Sequence, residues 1–381
     1  MEVTKCTFGA WNGGRFMNYG EALSEDRWVE LVRRAHERGV RTFLTADVYG
    51  NGSADSLLGR ALEGIPRDSY CLIGMVGHDF YSARRDGAKG FPRFTDPQLR
   101  SSGEYRSYLR MATEKSLERC GTDHFDLVLL HNPDQIGYTS DRVWTALDSI
   151  RGEGLTHGLG VAPGPANGFT LDVVQCFERF GALLDWAMII LNPFEPWPGS
   201  LVLPAAEKHG VRILTRVVDY GGVFHDDVKP GHQYGQGDHR AYRPAGWIQS
   251  ANDKLDQLRP IIRKYGITPL QFACGWCLQQ PGVASVVPTL IQEVASGAKA
   301  IESKLEELAT LPEFRFDAPE LETIATIGNN QGCMQLKGAH RSHTTAALAD
   351  QWSLNPDLEA VGRRWSIDPD RDLAQTHTSP T

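Results

Sequence analysis

Residues 124–134, HFDLVLLHNPD, contain the pattern that decides the fold. The apolar run Leu127–Leu130 ends abruptly in His131 and Asn132, and residues 141–154, DRVWTALDSIRGEG, follow with apolar positions at helical spacing. A near-continuous apolar run is typical of a parallel strand that is covered on both faces. The stretch therefore predicts a buried parallel strand, a polar strand end and then a covering helix.

The same strand-then-helix unit recurs along the chain. Amphipathic segments follow apolar runs at residues 5–11, 41–47, 70–77, 124–131, 157–163, 185–192, 211–218 and 282–290. In the first helical segment Trp28, Leu31, Val32 and Ala35 fall on one face, and Ser24 can cap its start. Eight such units favour a closed (β/α)8 TIM barrel, an α/β fold that gathers its active site at the carboxyl ends of the strands.

Long segments interrupt this repeat. Residues 78–104 lengthen the loop after the third strand, and residues 219–246 lengthen the loop after the seventh. We expect both loops to be ordered and to line the barrel mouth. We assign residues 1–325 to the barrel domain and residues 326–381 to a C-terminal extension over the mouth. The His and Asp residues of the second loop fit no metal-ligand spacing, so we expect them to be solvated and expect no metal site.

The composition is that of an ordinary globular protein. The chain has 381 residues, a net charge of −8 and no basic block, which argues against nucleic acid and anionic membrane surfaces as partners. Seven cysteines without framework spacing indicate reduced thiols. No apolar run is long enough to span a bilayer. We expect a cytoplasmic protein that acts on a small molecule, and the sequence does not indicate its oligomeric state.

Polar residues collect at the predicted strand ends. Asp47 and Tyr49 follow the second strand two residues apart, so strand alternation would place both side chains on one face. His131 ends the fourth strand. Because strand ends converge at the mouth of a barrel, we expect these three residues to form a catalytic group. A second set of polar residues at strand ends is expected to bind the substrate: His78, Asn132, Glu195, Arg216 and Asp219.

Three stretches resemble a known family. They are DVYGNGSADSLLGRAL at residues 47–62, SYLRMATEKSLERCGTDHFDLVLLHNPD at 107–134 and GLGVAPG at 158–164. Over most of residues 1–325 the chain resembles the aldo-keto reductases, which are NADP-dependent barrel enzymes. The resemblance implies that Tyr49 gives a proton to a carbonyl oxygen while hydride arrives from the nicotinamide, with Asp47 and His131 as partners of Tyr49.

The fourth catalytic residue of that family, a Lys, is replaced here by Met75. A nearby ammonium group lowers the pKa of a phenol, whereas a thioether carries no charge and no proton. Tyr49 should therefore be a poorer acid at neutral pH. One compensating change would be Lys337 folding back from the C-terminal extension, which we state as a hypothesis.

The resemblance is weaker at the positions where the family binds its cofactor. Strand 5 ends in Ala162 and Pro163 where the family has Ser-Asn, and Met188 stands where a Gln joins that Asn in holding the nicotinamide carboxamide. The Pro-Gly-x-Ser segment that grips the adenosine phosphates reads PTLIQEVASGAKA at residues 288–300. The resemblance implies NADP(H) as the cofactor, but no residue of this chain can be assigned to binding it.

Two enzymatic functions and one non-enzymatic function follow. The first is NADP(H)-dependent carbonyl and alcohol interconversion on a small polar, sugar-like substrate, as in an oxidoreductase. The alternative is a lyase, dehydratase or isomerase on the same barrel after loss of nicotinamide binding. In it Tyr49 and His131 exchange protons next to a carbonyl, and Arg216 steadies an enolate. A non-catalytic binding barrel is the third.

Overall fold

Eight parallel strands form one sheet that closes on itself. The computed structural model describes residues 1–85, 90–164, 169–243, 245–328 and 354–373. The strands β1 to β8 pair in sequence order, and their bounds are Thr7–Gly9, Thr42–Leu44, Cys71–Val76, Phe125–His131, Thr156–Ala162, Trp186–Ile190, Arg212–Arg216 and Val283–Val287. The Val286 N–H donates to the Lys5 carbonyl at 2.9 Å, which joins β8 to the chain just before β1. The predicted (β/α)8 barrel is confirmed.

Helices α1 to α12 surround and extend this barrel. Their bounds are Glu25–Glu37, Ser53–Leu62, Tyr105–Cys120, Gln135–Thr139, Asp141–Gly152, Thr170–Phe180, Leu203–Lys208, Trp247–Tyr265, Pro269–Leu278, Ile301–Ala309, Ala318–Gly328 and Pro356–Trp365. The Ser24 side chain accepts from the Arg27 N–H at 3.3 Å and caps α1, as its sequence predicts. Among the residues that the structure describes, no helix is long and apolar enough to cross a membrane.

The interior of the barrel is filled by an apolar cluster, which we call the interior cluster. Its members share the inward face of the strands and include Leu44, Ala46, Ile73, Met75, Leu129, Ala162, Met188, Leu214 and Val287. Met75 has no exposed surface and packs here as core. Because hydrocarbon fills the barrel below the strand ends, a substrate could reach only the polar mouth above the cluster.

Three loops close one side of that mouth, and we call them the three-loop clamp: residues 10–23, 219–243 and 288–300. The Gly20 N–H donates to Asp238 at 2.8 Å and the His239 N–H to the Asn18 carbonyl at 2.9 Å, which joins the first loop to the second. The Glu21 N–H donates to the Gln292 carbonyl at 2.7 Å, which joins the first loop to the third. Backbone hydrogen bonds between loops restrict their separate movement.

A buried ion network holds the clamp from within. The Arg240 guanidinium binds Asp238 at 2.7 and 3.0 Å and Glu293 at 2.6 and 2.9 Å, and all three residues are at most 2% exposed. His225 is also fully buried, and its Nε2 donates to the Thr289 carbonyl at 2.8 Å. The expectation that the His and Asp residues of this loop are solvated is therefore wrong for His225 and Asp238, because partners from two other loops cover them.

The described part of the C-terminal extension lies against α6. Leu358 and Val361 of α12 are buried, and Arg364 pairs with Glu178 of α6 at 2.5 Å. The Trp197 indole N–H donates to the Asp372 carbonyl, so the chain returns to the loop after β6. Residues 329–353, which include Lys337, lie outside the described residues. The predicted cover over the mouth stays a prediction, and so does the hypothesis about Lys337.

Candidate active site

Tyr49 and His131 meet at the barrel mouth. His131 is the last residue of β4, and Tyr49 opens a short 3-10 turn after β2. Their ring centroids are 5.7 Å apart and nearly perpendicular. Trp11, from the loop after β1, packs edge-on against Tyr49 at 6.2 Å, and His78 packs against His131 at 4.9 Å. Side chains from four different strand ends therefore converge, as the barrel rule predicts.

Burial sets the proton affinities of this pair. Burial raises the pKa of the Tyr49 phenol, and the positive charge of Arg216 opposes that rise. Burial lowers the pKa of His131 well below its usual range, and His78, Arg93 and Arg216 add to the effect. The imidazole is therefore neutral at pH 7, and its Nδ1 is buried without a hydrogen-bond partner in the described chain. A neutral imidazole can accept a proton and hold a carbonyl oxygen.

Asp47 does not join Tyr49, contrary to the shared face expected from strand alternation. Strand β2 ends at Leu44, and the interior cluster takes Leu44 and Ala46. Thr45 and Asp47 face the helices instead: Thr45 donates to Asp55 at 2.7 Å, and the Tyr81 hydroxyl donates to Asp47 at 3.3 Å. The chain turns after Asp47, with the Tyr49 N–H donating to the Ala46 carbonyl. The inward residue at the end of β2 is thus apolar.

Asp47 is nevertheless an unusual carboxyl. Burial raises its pKa well above the usual range, and the charge of Asp55 adds to the rise while Arg119 opposes it. The Arg119 guanidinium binds both Asp55, at 3.1 Å, and the Tyr81 hydroxyl, at 3.0 Å. One Asp47 oxygen is buried without a hydrogen-bond partner in the described chain. The Asp47 network lies between the loop after β3 and α3, and it supports the loop that carries Tyr49.

His78 and Asn132 belong to the group around His131, and their part in substrate binding stays a prediction. The Asn132 amide nitrogen lies 3.3 Å from His78 Nε2. Arg93, from the long loop after β3, lies 3.2 Å from His78 Nδ1 and donates to the Asn132 carbonyl. Asn132 itself has a positive φ of 43°, a conformation that Asn tolerates better than most residues. This loop therefore lines the mouth, as its length and composition predict.

Arg216 brings a positive charge to the same mouth. It is the last residue of β7, and its Nη2 donates to the Pro163 carbonyl at 2.9 Å, so its side chain crosses toward the end of β5. Burial lowers its pKa, and Tyr49, Tyr19 and Tyr138 act against that shift. Arg216 is the described cation whose charge lowers the pKa of Tyr49. It thus supplies part of what the missing Lys would supply.

Glu195 and Asp219 lie in a neighbouring sector and bind the protein itself. Glu195 accepts from the Asn192 amide at 3.0 Å. The Asp219 carboxylate accepts from the backbone N–H of Thr289 at 2.7 Å and of Gly222 at 2.9 Å. Burial raises the pKa of both carboxyls. These contacts join the loops after β6, β7 and β8, and the other Glu195 oxygen is buried without a hydrogen-bond partner among the described residues.

Two residues of the mouth were not identified from the sequence. Arg93 lies within the long loop after β3, where it is one of several charged residues. Its antiparallel bridge to His78 places it at the mouth. Tyr19 comes from the loop after β1, and its electrostatic neighbours include Arg216 and Arg243. A Tyr followed by Gly at residues 19–20 is a weak signal of a loop tip. Contacts between loops decide such positions.

One group in the described chain could hold a metal ion by distance alone. Ligand atoms of His124, Asp126 and His157 lie within 4.8 Å of one another. They sit at the amino ends of β4 and β5, opposite the mouth. Both Asp126 oxygens are already bound, one by the Met1 ammonium and one by Arg67 at 2.8 Å. The group has no part in the chemistry at Tyr49.

Known proteins with this arrangement place the chain in a family. The aldo/keto reductase family model matches residues 5–324. D-threo-aldose 1-dehydrogenase from a Pseudomonas species is 25% identical over 292 residues, which cover 74% of this chain and 83% of that protein. The glycerol dehydrogenase structure from Gluconobacter oxydans has a TM-score of 0.68 at 21% identity, covering 86% of this chain and 92% of its own.

A further solved structure carries the suspected cofactor. An aldo-keto reductase from Klebsiella pneumoniae, in complex with NADPH, has a TM-score of 0.57 at 18% identity and covers 88% of this chain and 95% of its own. Likeness at these identities shows the fold, whereas the family-model match extends over most of the chain. This chain therefore belongs to the aldo/keto reductase family of oxidoreductases.

Proposed function

We propose that the barrel mouth is an active site for proton transfer at a carbonyl group of a small polar, sugar-like molecule. Tyr49 exchanges a proton with the substrate oxygen, and His131 serves the neighbouring carbon. The perpendicular contact of the two rings at 5.7 Å, at the end of β4 and above the interior cluster, carries this assignment. We further propose that the protein is cytoplasmic, in keeping with the free cysteines of the described chain.

Family membership favours a redox version of this chemistry, NADP(H)-dependent interconversion of a carbonyl and an alcohol. One relative is named as an aldose dehydrogenase, and one similar structure contains NADPH. The nicotinamide would supply or accept the hydride, and Tyr49 would exchange a proton with the same oxygen. NADP(H) is therefore the suspected cofactor, and the residues of this chain can be compared with what a dinucleotide requires.

The nicotinamide end of such a site does not fit these residues. Pro163 has no backbone N–H, and Met188 offers no side-chain donor and is buried in the interior cluster. The Arg216 side chain reaches across the same sector to the Pro163 carbonyl. A carboxamide placed there would lack the hydrogen bonds that hold it in the family.

Two donors at the phosphate end are also occupied. Of the backbone N–H groups after β8, Thr289 donates to Asp219 at 2.7 Å and Leu290 donates to the Asn12 side chain at 2.9 Å. A phosphate binds to free N–H groups and cations. Here the Asp219 carboxylate and the Asn12 amide oxygen occupy two of the donors that a phosphate would use.

These residues therefore support best the non-redox version, a lyase, dehydratase or isomerase. Neutral His131 takes a proton from the carbon next to the carbonyl, while Tyr49 gives a proton to the carbonyl oxygen, which yields an enol. In a dehydratase the enol then expels the neighbouring hydroxyl, which takes the proton from His131 and leaves as water. The oxygen returns its proton to Tyr49. In an isomerase acting on a hydroxycarbonyl the enol is an enediol: His131 gives its proton to the former carbonyl carbon, and the hydroxyl on the neighbouring carbon gives its proton to Tyr49 and becomes the new carbonyl.

Binding of NADPH separates the two versions. Titrating the purified protein and following nicotinamide fluorescence should give no saturable binding at millimolar NADPH. Saturation in the micromolar range would restore the redox version and contradict the fit described above.

Proton transfer can be measured without knowing the product. Incubating the protein in heavy water with a panel of aldoses, ketoses and sugar acids should place deuterium on the carbon next to a carbonyl, seen by NMR. Tyr49→Phe and His131→Ala should each slow the exchange by about a hundredfold or more. Tyr265→Phe is the matched control, because its hydroxyl binds Glu320 and the Arg315 carbonyl far from the mouth. Exchange that survives Tyr49→Phe would contradict the assignment.

A further inference from the structure

Arg216 is a cation at the mouth with unused binding capacity. Its Nε is buried and has no hydrogen-bond partner among the residues that the structure describes. Its Nη2 donates one hydrogen bond to the Pro163 carbonyl at 2.9 Å and carries a second hydrogen. The Nε hydrogen and one of the two Nη2 hydrogens are therefore not used by the described residues.

Arg216 also lacks a counter-ion. No carboxylate of the described chain lies within 4.0 Å of it, whereas Arg240 binds Asp238 and Glu293, and Arg119 binds Asp55. A buried charge is costly unless it is paired and hydrogen-bonded. The cost of an unpaired guanidinium at an active site is offset when the ligand supplies the anion.

Phenols act on this cation electrostatically, and they are those of Tyr49, Tyr19 and Tyr138. Tyr49 is assigned to the substrate carbonyl, whereas the Tyr19 hydroxyl can donate a hydrogen bond to an anion and does not compete with it for the positive charge. A planar guanidinium beside a hydroxyl donor matches a carboxylate, which takes two parallel N–H bonds from Arg and accepts further bonds from O–H groups.

We propose that the substrate carries a carboxylate, which Arg216 binds through Nε and Nη2 while the carbonyl lies between Tyr49 and His131. The substrate class is then a small oxo- or hydroxycarboxylic acid, such as a sugar acid. This assignment rests on the active site proposed above.

A phosphate group fits the same position less well. A phosphate dianion in a buried site draws on several cations or on free backbone N–H groups. The N–H groups of Thr289 and Leu290 after β8 are engaged by Asp219 and Asn12, and Arg93 is engaged by the Asn132 carbonyl. One arginine balances a single negative charge.

Paired ligands test this inference by calorimetry. D-glucuronate is compared with D-glucose, D-gluconate with D-glucitol, and inorganic phosphate is a separate arm. Each carboxylate should bind about tenfold or more tightly than its neutral partner, and Arg216→Gln should abolish the difference. Arg216→Lys should restore only part of the difference, because a lysine keeps the positive charge but lacks the planar pair of N–H donors. Arg212→Gln is the matched control, since Arg212 begins the same strand and lies over Trp186.

Several results would overturn the inference. One is equal binding within each pair, and another is binding of no carboxylate at tens of millimolar. A third is a preference for the carboxylate that survives Arg216→Gln in protein shown to be folded by circular dichroism. The last is phosphate binding that is tighter than carboxylate binding and depends on Arg216. The exchange experiment keeps the two assignments separate. Deuterium exchange on neutral sugars alone would support the active site and overturn the carboxylate. A carboxylate preference without exchange would support the Arg216 site and contradict proton transfer.

Discussion

Replacing Glu293 by Gln should loosen the three-loop clamp. Glu293 accepts two hydrogen bonds from Arg240, at 2.6 and 2.9 Å, and its second oxygen lies 3.2 Å from His232 Nε2. Gln keeps one acceptor oxygen but turns an amide N–H₂ toward the guanidinium, so one hydrogen bond becomes a contact between two donors. The charge that balances Arg240 is also halved, because only Asp238 remains.

The expected cost follows from the burial of these groups. Removing one partner of a buried ion pair costs about 3–5 kcal/mol. Arg240 keeps Asp238 at 2.7 Å, so we expect the lower end, about 3 kcal/mol. If the loss is confined to the clamp, it raises the population of the open loop by about a hundredfold, since 1.4 kcal/mol is a factor of ten. Cleavage of a loop in the native state follows that population when opening is fast.

Two measurements check this prediction. Urea unfolding followed by circular dichroism gives the free energy of unfolding, and limited proteolysis gives the cleavage rate within residues 219–243. Glu313→Gln is the matched control, because Glu313 and its partner Lys5 are 88% and 66% exposed and such pairs contribute at most about 1 kcal/mol. If both variants lost less than about 1 kcal/mol and were cleaved at the same rate, the ion network would not hold the clamp.

Three further changes have definite expected outcomes. Met75→Lys should lower the free energy of unfolding in urea by several kcal/mol at pH 7. The loss should be smaller at higher pH, because burial lowers the pKa of a lysine and the neutral amine costs less to bury. Wild-type stability would mean that this position opens to solvent. Burial lowers the pKa of His131 and His225 well below its usual range, so the unfolded chain binds more protons below about pH 6.5. Buried carboxyls with a raised pKa, such as Asp47, act in the opposite direction, so the test is the difference between two proteins. With decreasing pH the free energy of unfolding of the wild type should fall relative to that of His225→Gln, by up to about 1.4 kcal/mol per unit. Equal pH profiles of the two proteins between pH 7 and 5.5 would refute this. By the same unfolding assay Gly160→Ala should cost several kcal/mol, since its Cβ would lie 2.3 Å from the Trp186 carbonyl oxygen. Gly152→Ala in α5 should be neutral or slightly stabilising, because nothing lies within 4 Å of its Cβ.

The strands and their order could be predicted because buried parallel strands have a strong sequence signal. Runs such as Leu127–Leu130 are apolar on both faces, and each is followed by a helix with its own periodicity and caps. The Tyr49 and His131 pair could also be predicted, because the ends of barrel strands converge whatever the loops do. These features depend on local pattern and on the topology that the pattern imposes.

The features that sequence alone did not give depend on where a strand stops and on contacts between loops. The run at residues 41–47 looks like a strand up to Asp47, but pairing ends at Leu44, and the turn that follows sends Asp47 toward Tyr81. Arg240 finds its partners on two loops far apart in sequence, so no spacing within one loop reveals the network.

The clamp makes access to the mouth one-sided. The loops after β1, β7 and β8 are fastened to one another by backbone hydrogen bonds and by the Arg240 ion network, so the sector above those strands is shut. An incoming molecule would approach over the ends of β3, β4 and β5, past Asn132 and Pro163. Ligand length would then be limited by the distance to the closed wall rather than by the width of the barrel.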